Sequence, residues 1–523
     1  MNKFLFSIIL VLPFVSVAQS NDIYFAKGVE LFGNKDYNGA IESFTRAIEL
    51  NPGNAQAYNY KGIIKAEQGD YAAAIEIFTK EINIAPNADI AYANRGYAKL
   101  KINDFKGAIA DCDHAIAMNP KSSLAFINRG NSKNGMGDFK GAIDDFNKII
   151  ELDPNSATGY TNRGNSKNNM KDFKGGLEDL NKAIELDPKI PEAYLDRGIA
   201  KGKLKDSYSA IDDFGKAIAL NPGLAPAYFY RGLQKGELND YGNALADFNQ
   251  AITIDPKYVE AYELRAEANT KLGNYGAAGD DLKKAIILNP DDPGAYYDRA
   301  EVALKMHDNE SAIKDFTKAI SLKDDYAEAY HDRGYLKLQM SDFSGAVADL
   351  NKAISLNPET GSAYLNRAIA RINLRQSVEA MADLNKAISL NPEYSGAYFY
   401  RAALNMETKN FNVAITNLDK AIEGNFNLPY AYFMRGYAYA GIKNNTNALS
   451  DLTKSIELNP SNADAFFARA RVYYNLNNNA AAKADWIKSA ALGNKEAAIM
   501  VKFPPSKAKT NTGPGNWVVW KKQ

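Results

Sequence analysis

Proline stands at positions 52, 86, 120, 154, 188, 222, 256, 290, 358, 392 and 460, so every interval is 34 residues or a multiple of 34. Asp324, Phe426 and Asn494 occupy the three places the series skips. The register runs from Asn21 to residue 496 without insertion or deletion, as fourteen consecutive units. A 523-residue chain is too long for one ordinary core, and so strict a period means that one supersecondary unit is stacked many times. Counting each unit from its first residue (21, 55, 89 and onward to 463) turns the sequence into columns that can be compared directly.

The fourth column is aromatic in all fourteen units, from Tyr24 through Tyr228 and Tyr398 to Phe466, and the eighth is always Gly or Ala. Ring and small residue share one helical face, and a small neighbour beside a large ring lets the next helix approach closely, so this stripe reads as core. The sixteenth column is Asp or Asn in thirteen units, with Gln376 the exception, as the N-cap of a second helix requires. The proline column then ends that helix.

The unit "AYFYRGLQKGELNDYGNALADFNQAITIDP" carries Tyr228, Gly232, Ala244, Phe248, Ala251 and Pro256 in the pattern of the tetratricopeptide repeat family, which the whole array resembles. Departures are few: Cys112 for Phe or Leu, Gly176 for Ala, and Glu81 and Ile149 for a small residue. The resemblance implies an all-α fold, a right-handed superhelical α-solenoid of about fourteen 34-residue helix–turn–helix repeats. The expected organisation is a signal peptide over 1–18, tandem repeats over 21–496, a capping helix at 495–502, and a polar tail over 503–523 with an apolar tip, "NWVVW". The signal reading rests on "MNKFLFSIILVLPFVSVAQS", whose apolar run is too short to span a bilayer and ends in small residues. It predicts export to the periplasm or secretion from a bacterial cell, with no stable membrane anchor.

Arginine fills the seventh column from Arg95 to Arg469, and the twenty-third is Asp in the same units except at Asn417. The two units with Lys27 and Lys61 have Ser43 and Ile77 instead. Columns that change together point to a structural ladder of Arg–Asp pairs, with an anion-binding stripe as the alternative. The run "DCDH" (111–114) has metal-ligand chemistry, but each of its residues belongs to a column with another duty, so no metal site is expected. With 62 basic and 62 acidic residues there is no bias toward nucleic acid. The three histidines, His114, His307 and His331, lie in different units, and no phosphate loop or nucleophile elbow occurs, so neither catalysis nor a cofactor is expected.

The first helix has a second face, columns two, five, nine and twelve, which in the family lines a concave groove that takes peptides or partner helices. It varies strongly between units, so that in "AYFYRG" the first aromatic reads as scaffold and the second as groove surface. The expected partner-binding residues are Leu365, Ile369, Phe399, Phe433, Tyr437 and Phe467, an apolar strip for protein or peptide segments. Two secondary zones are Asn131, Asn134, Asn165 and Asn168, rich in hydrogen-bonding groups, and Glu260, Glu263, Glu267, Tyr297 and Glu301, suited to a basic segment. The family's carboxylate clamp of Lys and Asn is not matched, because the fifth column holds no Lys. The expected function is therefore a non-catalytic protein-binding scaffold; the alternative is binding of envelope carbohydrate or peptidoglycan through the Asn zone.

Overall fold

A computed structural model describes residues 17–503, with side chains from residue 21. Of the expected signal peptide, only the backbone of residues 17 and 18 falls within this range, and the tail from residue 504 lies outside it. The described residues are helical throughout, without a strand, and none of their helices is long and apolar enough to cross a membrane. Each repeat supplies a first helix, such as Ala225–Glu237, and a second, such as Tyr241–Ile254. Two compact units result, Met1–Gly273 and Asn274–Gln523, and inside each one the second helix of a repeat packs on its own first helix and on the first helix of the next.

The turns between the two helices are uniform. Position fifteen is left-handed in every repeat, at φ 60° for Lys35, 79° for Gly69 and 68° for Lys205. The next N–H reaches back to the carbonyl five residues earlier (Asp36 N to Leu31 O, 2.9 Å), which closes the Schellman arrangement of a helix C-terminus. Position sixteen then caps the second helix in most repeats, Asp138 Oδ1 accepting from Gly141 N at 3.0 Å, whereas Gln376 and also Asn410 make no side-chain cap bond. At the junction after repeat 12, Phe426 replaces the proline, and Asn425 and Asn427 both turn left-handed to pass it.

The eighth-column glycines make room for a different ring than the sequence suggests. A Cβ on Gly62 would stand 2.5 Å from Phe78, and one on Gly198 would stand 2.6 Å from Phe214. Both rings belong to the twenty-fourth column of the second helix, so the close approach is between helices and not along the first one. Beyond the last repeat the helix Lys495–Lys502 lays Ala497, Met500 and Val501 against Phe467 and Trp486.

Candidate binding face

Within each compact unit the charged columns form an internal framework. Arg95 donates Nε and Nη2 to Asp111 at 2.8 and 2.6 Å, and the same fork recurs from Arg163 to Asp179, Arg333 to Asp349 and Arg469 to Asp485. The sequence pairing did not include the eleventh column, whose Lys99, Lys201 and Lys337 reach the second carboxylate oxygen at 2.7–2.9 Å. Nor did it include the remaining arginine nitrogen, Nη1, which crosses to the second helix of the preceding repeat: Arg163 to Asn147 at 2.7 Å, Arg333 to Thr317 at 2.9 Å, Arg469 to Thr453 at 3.0 Å. The guanidinium also lies over the fourth-column ring, 5.4 Å above Tyr364 for Arg367. With fork, cross-bond and ring face all used, these arginines hold the repeats together. Asn417 breaks the series: Arg401 Nε still donates to its Oδ1 at 2.8 Å, but burial without a paired carboxylate lowers the pKa of this arginine, while Asp111 and Asp179 raise those of Arg95 and Arg163.

The residues of "DCDH" part company. Asp111 joins the framework, the Cys112 thiol is buried in the core and pushed up to about 12 by desolvation, and the His114 ring stacks on Tyr92 while its Nδ1 meets Ala110 O at 2.8 Å.

The variable face needs a correction. Phe399 is 6% exposed, Phe467 1% and Phe229 8%, so the second aromatic of the motif is core at these places, while the first, Tyr228 or Tyr398, is only half-buried beneath its arginine. The cause is the segment that follows each of these repeats' second helices. Tyr258 stacks on Phe229 with centroids 4.7 Å apart, Phe426 packs on Phe399 at 5.3 Å, and the terminal helix covers Phe467. Phe229 and Tyr297 each have a tyrosine at position thirty-four of their own repeat, Tyr258 and Tyr326, which is a signal the sequence offered, whereas Phe25, Phe433 and Phe467 have none there. Leu365, Ile369, Phe433 and Tyr437 are half-buried and remain partly open.

The Asn zone is mostly consumed inside the stack. Asn134 Nδ2 donates to Ser166 Oγ at 2.9 Å, Asn165 Nδ2 to Asp196 Oδ1 at 2.9 Å, and Asn168 Nδ2 to Asp196 O at 2.9 Å, each one repeat onward. Asn131 is half-buried, without a hydrogen-bond partner among the described residues. Asp196 is buried, and desolvation raises its carboxyl to about 7 although the Asn165 amide pulls the other way. Glu81, another buried carboxyl, is raised to about 7 by desolvation and held by both oxygens on Asn59 Nδ2 at 3.0 Å. The expected acidic zone divides between the compact units: Glu260, Glu263 and Glu267 fall in the first, Tyr297 and Glu301 in the second. Tyr297 donates its hydroxyl to Asp332 Oδ2 at 2.6 Å and stacks on Tyr326, so it too works within the array.

Family models described as tetratricopeptide repeat match residues 25–89 and 331–398, 452–484, and the six stretches 90–122, 124–156, 157–190, 259–292, 293–326 and 429–462; one described as TPR repeat matches 237–273. The helices Pro191–Lys203 and Ser207–Leu220, between those stretches, keep the same lengths as their neighbours. No curated protein matches the sequence. Similar solved structures include a tetratricopeptide repeat protein from Parabacteroides merdae (20% identity, 48% of this chain and 99% of that one, TM-score 0.42). Yeast Tom70 follows (19%, 82% and 96%, TM-score 0.33), as does a chain of the APC/C hetero-tetramer Cut9–Hcn1 (14%, 93% and 96%, TM-score 0.38).

Proposed function

This chain belongs to the tetratricopeptide repeat family, and from that premise we propose that it is a scaffold that holds protein or peptide segments against the variable face of its first helices. The observation that carries the reading is the contrast among columns. Arg, Asp, ring and small-residue columns are occupied by the fold, whereas Leu365, Ile369, Phe433 and Tyr437 leave apolar surface half-open in positions the repeat does not dictate. Apolar side chains of this kind serve as anchors when a partner excludes water from them. Holding a partner in this way requires no chemistry by the scaffold itself.

Export to the periplasm or beyond is part of the same proposal, supported by the signal-like residues 1–18. Amino-terminal sequencing of the protein from its host tests it: an unprocessed Met1 rules out cleavage. The binding of envelope polysaccharide is the weaker reading, because Asn134, Asn165 and Asn168 spend their amides between repeats.

Cross-linked capture from the host, comparing the native chain with Ile369→Ser/Phe433→Ser, separates the outcomes. A partner lost with the variant, whose helicity is unchanged, supports the face. Equal capture by both baits removes it.

A further inference from the structure

Three side chains that the repeat pattern does not ask for meet on the variable face of the second unit. His331 is the only histidine in the fifth column, Ser362 the only serine in the second, and Asp332 follows His331 directly. They come from consecutive repeats, which is why histidines scattered over different units did not reveal them. Ser362 Oγ lies 3.1 Å from His331 Nε2, and His331 Nδ1 lies 2.8 Å from Asp332 Oδ1. An ionised carboxylate only accepts, so Nδ1 carries the ring proton and Nε2 is left to accept from the serine hydroxyl. The Asn366 amide, 3.5 Å from Nε2, is likewise a donor to it. Asp332 is fixed from its other oxygen by the Tyr297 hydroxyl at 2.6 Å. Serine, base and orienter thus stand in the order that nucleophilic catalysis uses, and the His331 side chain keeps 22% of its surface exposed.

Two neighbouring features suit the same chemistry. Ser362 is the second residue of the helix Gly361–Asn373, so it lies in that helix's first turn, where the helix dipole favours negative charge. One and two turns further along, Leu365 and Ile369 offer half-buried apolar surface.

We propose that Ser362 is an activated nucleophile that accepts the acyl group of short-chain carboxylic esters, with His331 as general base and Asp332 as its positioning residue. The serine oxygen bonds to the ester carbonyl carbon while its proton passes to Nε2. The tetrahedral intermediate collapses by breaking the carbon–alkoxy bond, and the imidazolium returns the proton to the departing alcohol. Water then attacks the acyl-serine with Nε2 again taking a proton, the acid leaves, and the proton restores the serine. The Leu365 and Ile369 side chains receive the acyl chain. This activity stands apart from the scaffold reading and does not depend on it.

The test uses the full chain with p-nitrophenyl butyrate as substrate and a fluorophosphonate as covalent probe. The expected result is phosphonylation mapped by mass spectrometry to Ser362, hydrolysis reduced to the level of buffer-exposed surface groups in Ser362→Ala, and a loss of about 100-fold in His331→Gln, typical of removing a general base. Asp332→Asn should shift the pH profile of the residual rate. Ser362→Ala exchanges one helix-compatible small residue for another, so it decides the matter even if His331→Gln fails to fold. Absence of probe from Ser362, or wild-type hydrolysis by Ser362→Ala, overturns the proposal.

Discussion

Repeats 4 to 6 and repeats 11 to 13 put variable side chains in the same columns of the same scaffold, yet they use them in opposite ways. In the first region Asn134, Asn165 and Asn168 reach forward to the next repeat and are spent there. In the second, Leu365, Ile369, Phe433 and Tyr437 stay half-open while Phe399 is sealed by Phe426. A column that varies is therefore free of the repeat's own geometry, but it can still be bound to whatever its neighbour happens to carry.

Phenylalanine truncation should give the largest effect. Phe399→Ser is expected to cost about 4 kcal/mol, the scale for emptying a buried aromatic site, and Phe433→Ser about half of that. Urea unfolding of the two variants checks it, and equal losses would mean that the two side chains are alike after all. The Asn region differs next in its response to pH. The Asp196 carboxyl is raised in the folded chain to about 7, so its contribution to stability is present below about pH 4 and is lost as pH rises through about 7. Thermal unfolding should show that slope together with the like-signed one from Glu81, and Asp196→Asn should remove the Asp196 share of it and stabilise the chain at pH 8. A smaller gain, about 1–2 kcal/mol, is expected from Asn417→Asp, which gives Arg401 the carboxylate its counterparts have. Failure to gain would show that the repeat 12 framework is complete as it stands. The smallest is Lys205→Gly at the left-handed turn position, about 0.5 kcal/mol of stabilisation measured by the same unfolding curves.

Period, helix pairs, N-caps and the Arg–Asp forks were all legible in the sequence, because each depends on residues within one repeat. Arg231 and Asp247 stand sixteen positions apart in every copy and betray each other by changing together. Contacts between repeats were harder to read. Asn165 and Asp196 are 31 residues apart, His331 and Ser362 also 31, and each pair occurs once, so no column average can display it. The burial of Phe399 and Phe467 was missed for the same reason: the covering groups, Phe426 and the helix Lys495–Lys502, are themselves the exceptions to the pattern. Lys201 and its equivalents were overlooked although their spacing is regular, since a cation on a helix ordinarily reads as solvated surface.

The arginine Nη1 bond that crosses to the preceding repeat has a mechanical consequence. Each such bond works as a rivet against sliding between neighbours, and its acceptor column offers Thr, Asn or Asp at most junctions. At two places the column holds Gly215 and Lys283, which have no side-chain acceptor to offer Arg231 or Arg299. The chain is thus a spring of unequal stiffness. When its ends are pulled in an optical trap, the first compliance is expected at those two junctions, and Gly215→Asn should stiffen one of them while leaving the other unchanged.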